Sequence, residues 1–305
     1  MRAEALCLLD NDELCIKLCG VENFDVGKIF DCGQCFRFDP VPNSRHGIEF
    51  SGVAYGRFVS IAQDGKDIYI YNSDMEDFEN IWCRFLGLDT DYDAIAEEIS
   101  SCSSNPALGR AIEFGRGIRI LRQEPWEAIC SFIVSQNNNI PRIKKIIEAM
   151  SKRCGRAIDI PRAMESHVAR EGSLYAFPTP QALAELGIDG LFELKTGFRA
   201  KYIYDAAQKV MRGEINEELL FSSESTAECV EHLCAIKGVG PKVASCALLF
   251  GFARYDAFPV DVWIKKVIQK YFSEGDCEFT PDMLGRYAGI AQQYLFYYER
   301  YCEGR

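Results

Sequence analysis

The sequence predicts an α+β protein: an N-terminal mixed domain with an antiparallel sheet over residues 1–110, then an all-helical region over residues 111–305. Three observations predict it. The stretch "IEFSGVAYGRFVSIAQDGKDIYIYN" (48–72) is dense in β-branched and aromatic residues, and its Asp64-Gly65 is a hairpin-turn pair. From about residue 105 the apolar residues recur at helical spacing instead. The charge changes there too: residues 1–110 hold 9 Lys and Arg against 20 Asp and Glu, whereas 111–305 hold 25 of each.

After the sheet, "MEDFENIWCRFLGL" and "YDAIAEEIS" are short helical patterns. "EPWEAICSFIVSQ" starts a helix at Pro125. In "NNNIPRIKKIIEAMSKRCG", Asn139 is a candidate cap, Ile143, Ile146, Ile147 and Met150 share a face, and Gly155 lies past the end. "TPQALAELG" repeats this grammar, with a stop expected at Gly187. Ser225 and Glu228 stand at capping-box spacing. "PKVASCALLFG" runs from Pro241 to Gly251, and "DVWIKKVIQKYF" begins at Asp261 with Ile264, Val267, Ile268 and Tyr271 on one face. No internal repeat or low-complexity linker interrupts the chain.

Hydrophobic residues make up 48% of the chain, enough for a sizeable core. No apolar run approaches the roughly 20 residues of a membrane span, so no membrane partner is expected. The opening residues are too acidic for a signal peptide, which points to an intracellular protein. Its fourteen cysteines are then reduced thiols serving as small hydrophobes. Cys32 and Cys35 form a C-x-x-C, and Cys15 and Cys19 a C-x3-C, but neither has a matched second pair, and His46, His167 and His232 are scattered. No structural metal is expected. A net charge of −11 argues against nucleic acid for the chain as a whole, yet residues 111–212 hold 16 basic and 11 acidic residues. That middle third can face phosphate.

The stretch "IKGVGPKVASC" (236–246) joins two helical patterns into a helix–hairpin–helix over 226–250. Gly238 and Gly240 permit crowded or left-handed backbone, and amides freed at the next helix start can hold a phosphate. Lys242 sits in that first turn, where the positive end of the helix dipole disfavours an ammonium. A lysine nucleophile needs the neutral amine. The ordinary reading of such a lysine is a solvated charge, and on this stretch alone it is the better one. Asp261 reads first as a helix cap; as a carboxylate beside Lys242 it would stabilise positive charge or relay a proton. The two roles are compatible.

The G-V-G-x-K hairpin, with an aspartate in "PVDV" nineteen residues beyond the lysine, resembles the helix–hairpin–helix DNA glycosylases. "GQCFRF" (33–38), "SQNNNIPRI" (135–143), "GFRAKY" (197–202) and "AGIAQQYLFYYER" (288–300) narrow the resemblance to the 8-oxoguanine DNA glycosylases, in the expected order over nearly the whole chain.

The resemblance implies a base-excision-repair enzyme that flips 8-oxoguanine out of duplex DNA, preferably opposite cytosine. Lys242 would attack C1′, expel the base and form a Schiff base that permits β-elimination; Asp261 would stabilise the oxocarbenium charge. The Gly33 carbonyl would accept N7–H of the lesion, Phe296 and Cys246 would sandwich the base, and Gln292 would read its Watson–Crick edge. Asn137 would fill the vacated stack, Arg142 and Arg199 would hold the orphaned cytosine, and Phe198 would wedge the duplex. Carbonyls of Cys234, Ile236 and Val239, in the Gly238–Gly240 hairpin, would form a monovalent-cation site that positions a phosphate. No cofactor would be required. The protein would act as a monomer, in the cytoplasm with the nucleoid in a prokaryote or in the nucleus of a eukaryote.

Two positions depart from the pattern. Trp263 replaces a common histidine, and Cys35 a common serine. Taken singly, these positions have ordinary readings: a strand-entry glycine, a core phenylalanine, a buried thiol, a surface glutamine, capping asparagines, solvated arginines. An endonuclease III-like relative would need four C-terminal cysteines for an iron–sulfur cluster, and only Cys277 and Cys302 follow Cys246. The remaining rival is a non-catalytic DNA-binding module in which Lys242 only touches phosphate.

Overall fold

A computed structural model of the chain describes residues 4–10, 13–103, 105–170, 174–272 and 279–302. Cys277 lies outside the described residues. The expected α+β architecture is present: a six-stranded antiparallel sheet, then a helical body. The strands are β1 (Glu4–Asp10), β2 (Glu13–Cys19), β3 (Phe38–Pro40), β4 (Ile48–Ala54), β5 (Arg57–Asp64) and β6 (Asp67–Tyr71), in spatial order β1-β2-β6-β5-β4-β3. The 48–72 stretch supplies three of them. Asp64-Gly65 makes the β5–β6 turn, with Gly65 at φ 58°. Tyr55 and Gly56, both at positive φ, close the β4–β5 hairpin. Strands β1, β2 and β3 were not foreseen; β1 and β2 lie in the acidic opening segment, and β3 is only three residues long.

Register aligns Phe50, Ile61 and Ile70 across β4, β5 and β6, and this face packs with Ile16, Leu18, Phe30, Trp82 and Phe85. The other face is also covered. Cys15, Val53, Phe58, Ala62 and Tyr71 meet Met164, Ile158, Ile160, Val168 and Leu174, from a segment that leaves the helical body and returns. A bridge between Ala157 and Tyr175 closes that excursion. Burial on both faces leaves β4 buried almost throughout, its polar Glu49 and Ser51 included.

Helices form where capping and spacing place them. Asn139 accepts from Arg142 N at 3.0 Å, and Asp261 begins the Val262–Tyr271 helix. Gly187 ends its helix as expected, with a non-helical φ of 71° and ψ of 175°, and a second helix follows directly to Glu193. One expectation is corrected. The Ser225–Glu228 capping box is half-formed. Ser225 Oγ accepts from Glu228 N at 3.2 Å, but the Glu228 carboxylate takes the Ser223 hydroxyl, whose oxygen in turn accepts from Ser225 N.

The helical core centres on Pro125–Ser135 and Pro241–Gly251, buried along nearly all their length. Phe132 and Phe250 stack at 5.3 Å, and a Cβ on Gly251 would lie 2.8 Å from Ala128 Cβ, so only glycine allows this close crossing. The Ala288–Cys302 helix packs against Pro106–Phe114 and reaches the sheet-side loop through Gln293 and Tyr301. No helix among the described residues is long and apolar enough to cross a membrane, and none of their His, Cys, Asp and Glu groups is arranged to hold a metal.

Candidate active site

The Pro241–Gly251 helix presents Lys242 as its second residue, half-buried, on a rod fixed by the core. Gly240 is its N-cap and supplies no side-chain oxygen. Cys246 lies one turn further on the same face and is 5% exposed. Burial pushes its thiol up to about 11, while the charges of Lys242 and Asp261 act on it in opposite directions, Lys242 lowering and Asp261 raising it. Asp261 is the cap expected of it: its Oδ1 accepts from Trp263 N at 2.9 Å and from Ile264 N at 2.8 Å. Both bonds fall on one oxygen. None among the described residues reaches Oδ2, so capping leaves half the carboxylate available.

A second group gathers around Gly33. Gly33 has φ +80°, and a Cβ there would lie 3.8 Å from Phe296 and from the Arg300 guanidinium. Gln292 is one turn before Phe296 on the same helix. It is 5% exposed, and its Oε1 is buried with no hydrogen-bond partner. A buried amide oxygen without a donor costs about 1–3 kcal/mol, which makes this position conspicuous in a helix that otherwise packs well.

The three asparagines of "NNN" do three different things. Asn138 Nδ2 donates to Val134 O at 3.0 Å, closing one helix, and Asn139 caps the next. Asn137 between them is exposed at φ 47°, a left-handed conformation that asparagine tolerates. Phe198 is 46% exposed and lies against Tyr202 at 5.8 Å and under the Arg199 guanidinium at 4.4 Å. Arg142 is exposed. Arg199 differs from the expectation of an open donor. It is 2% exposed, and its guanidinium donates to the carbonyls of Gln136, Asn137 and Thr196. It braces the turn that carries Asn137.

The hairpin needs its glycine at position 238. Gly238 has φ +76°, and a Cβ there would fall 2.3 Å from the Tyr202 ring. Asp205 accepts from Lys237 N at 2.7 Å and holds the turn from below. The Ile236 carbonyl accepts from Val239 N at 3.0 Å, whereas no hydrogen bond among the described residues ends on the Cys234 or Val239 carbonyl.

Sequence reasoning missed Arg300, Asp205 and three glutamines. Gln34 stood inside a quoted motif and Gln293 beside an assigned residue, but nothing in one-dimensional spacing separates a ligand-facing amide from a backbone-bracing one.

Family models and solved structures match most of the chain. Residues 17–129 match the family model described as "8-oxoguanine DNA glycosylase, N-terminal domain", and residues 130–280 match "HhH-GPD superfamily base excision DNA repair protein". The chain is 31% identical over 289 residues to an N-glycosylase/DNA lyase OGG1 of Arabidopsis thaliana, covering 88% of this chain and 75% of that protein. It is similar to a crystal structure of the Clostridium acetobutylicum 8-oxoguanine glycosylase/lyase bound to double-stranded DNA with cytosine opposite 8-oxoguanine: TM-score 0.85, 37% identity, 99% of this chain and 100% of that one. A 3-methyladenine DNA glycosylase from Archaeoglobus fulgidus shares the fold, with TM-score 0.67 at 19% identity over 93% of this chain and 98% of that one.

Proposed function

The chain belongs to the 8-oxoguanine DNA glycosylase family of bifunctional N-glycosylase/DNA lyases, and on that premise we propose that it excises 8-oxoguanine paired with cytosine through a covalent Lys242 intermediate. The observation that carries the reading is the buried Gln292 Oε1 without a donor, on the helix whose next turn brings Phe296 toward Gly33. A planar base with N–H groups on its edge supplies what that oxygen lacks. The Gly33 carbonyl would accept the N7–H that 8-oxoguanine has; ordinary guanine presents a lone pair there and would repel it. Phe296 and Cys246 would hold the two faces of the base.

The neutral Lys242 amine attacks C1′ as the glycosidic bond breaks, and the base leaves with the bonding pair and takes a proton. The nitrogen lone pair then breaks the C1′–O4′ bond, O4′ takes a proton, and in the protonated Schiff base so formed loss of a C2′ proton breaks the C3′–O bond by β-elimination. The open Oδ2 of Asp261 would face the positive charge that develops at C1′. Asn137 would occupy the gap in the stack and Phe198 would wedge the duplex beside it. Arg142 supplies the exposed planar fork for the cytosine edge, with Arg199 steadying the turn beneath. Carbonyls of Cys234, Ile236 and Val239 would hold a monovalent cation next to a backbone phosphate.

Borohydride trapping on an 8-oxoguanine duplex tests the reading. The expected result is a covalent adduct that disappears in Lys242→Gln while duplex binding is retained. A native protein that binds the duplex and gives no adduct would leave only a DNA-binding module.

A further inference from the structure

Three glutamine side chains converge on the loop that presents Gly33. Gln34, Gln123 and Gln293 are 0%, 6% and 3% exposed. Gln293 Nε2 donates to the Cys32 carbonyl at 2.8 Å, and Gln123 Nε2 donates to the Gln34 carbonyl at 2.7 Å. The peptide oxygens on either side of Gly33 are thus each held by a side-chain amide. No hydrogen bond among the described residues ends on the Gly33 carbonyl itself. Gln34 anchors the loop from inside: its Nε2 donates to Ile29 O at 2.9 Å and Arg119 O at 2.8 Å, and its Oε1 accepts from Leu121 N at 2.8 Å.

The sources of these bonds matter more than their number. Gln293 is the residue after Gln292, so one turn of helix points one amide at the loop and leaves its neighbour open. Gln123 is tied in turn to the core, where its own N–H donates to Phe250 O at 2.8 Å, in the helix that carries Lys242. The loop is therefore referenced to the base-reading helix on one side and to the lysine helix on the other. A hydrogen bond weakens steeply once its angle falls below about 120°, so a rotated Gly33 peptide would lose its power to tell N7–H from N7. Left-handed backbone at φ +80° does not hold that orientation unaided.

We infer that Gln293 and Gln123 are positioning residues for lesion discrimination: they fix the carbonyls flanking Gly33 so that the Gly33 oxygen alone is left to test N7. The inference rests on the assignment of Gly33 as the N7 acceptor. The test compares wild type with Gln293→Met and Gln123→Met, near-isosteric changes that remove the donor. Affinity is measured for duplexes carrying 8-oxoguanine, guanine or a tetrahydrofuran abasic analogue at one position. In each variant the preference for 8-oxoguanine over guanine should fall about tenfold, equivalent to about 1.4 kcal/mol, while abasic affinity stays within about twofold. An unchanged preference in a variant that still binds the abasic duplex overturns the inference. So does a parallel loss on all three duplexes, which marks a merely structural role. A wild type without preference for 8-oxoguanine overturns the pocket assignment itself. The two glutamines sit on different elements, so failure of one variant to fold leaves the other to decide.

Discussion

In the proposed mechanism single residues are left free to act because their neighbours have already used up the competing bonds. Asp261 is the clearest case, with one carboxylate oxygen committed to two amides and the other open. Arg142 and Arg199 form a contrasting pair, one exposed and one buried among carbonyls. The placement separates their expected effects. Arg142→Ala should flatten the excision preference across 8-oxoguanine paired with C, T, G and A by about tenfold, with little change in thermal midpoint. Arg199→Ala should also lower that midpoint, because it leaves three carbonyls without their donor. Single-turnover excision on the four duplexes, with melting of each variant, checks both. An Arg142 variant that keeps its cytosine preference removes this residue from the opposite-base contact.

Among the elements, the hairpin is the one with least tolerance. Its Gly238 combines a left-handed backbone with the Tyr202 ring where a Cβ would be. Gly238→Ala should therefore cost about 2–3 kcal/mol, read as a shift of the denaturant midpoint at unchanged slope. Duplex affinity should fall with it, equally for damaged and undamaged DNA, because the turn would hold backbone phosphate rather than the base. Gly240 offers the contrast, since a Cβ there meets nothing within 4 Å. Loss of lesion preference in the Gly238 variant would tie the hairpin to base selection and contradict this division.

Over the whole molecule, the segment 156–175 joins the helical body to the far face of the sheet, and a buried ionic cluster seals it. His167 lies 3.2 Å from Glu13 and hydrogen-bonds Glu49, which also accepts from the Ser60 hydroxyl at 2.5 Å. Burial pushes the Glu49 carboxyl up, but His167, Ser44 and Ser60 outweigh it and leave it below its ordinary value of 4.5. Burial pushes the His167 imidazole down, but Glu49 and Glu13 outweigh it and leave it above 6.5. The contribution of Glu49 is present above pH 4.5 and fades as pH falls through its lowered value. That of His167 is complete below pH 6.5 and fades as pH rises through its raised value. His167→Leu leaves buried Glu49 with only the Ser44 and Ser60 hydroxyls as donors, while Glu13 keeps Arg45, and should cost about 3 kcal/mol. Unfolding across pH should show the largest deficit between these limits and a smaller one at either end. A deficit independent of pH would mean that packing, and not charge, holds the segment.

The α+β division, the caps at Asn139 and Asp261 and the Asp64-Gly65 turn were legible in the chain because they depend on residues a few positions apart. Gly187 was legible for the same reason, since a left-handed glycine ends a helical turn whatever follows it. Motif resemblance singled out Lys242, Gly33, Gln292 and Phe296 as the proposed site. Only the tertiary structure decided which polar atoms remain open. It spent Gln293 on Cys32 and left Gln292 bare, buried Arg199 and exposed Arg142, and brought His167 to Glu49 across 118 residues. Those outcomes depend on long-range hydrogen-bond partners, and a side chain's type and spacing do not say whether a distant carbonyl will reach it first.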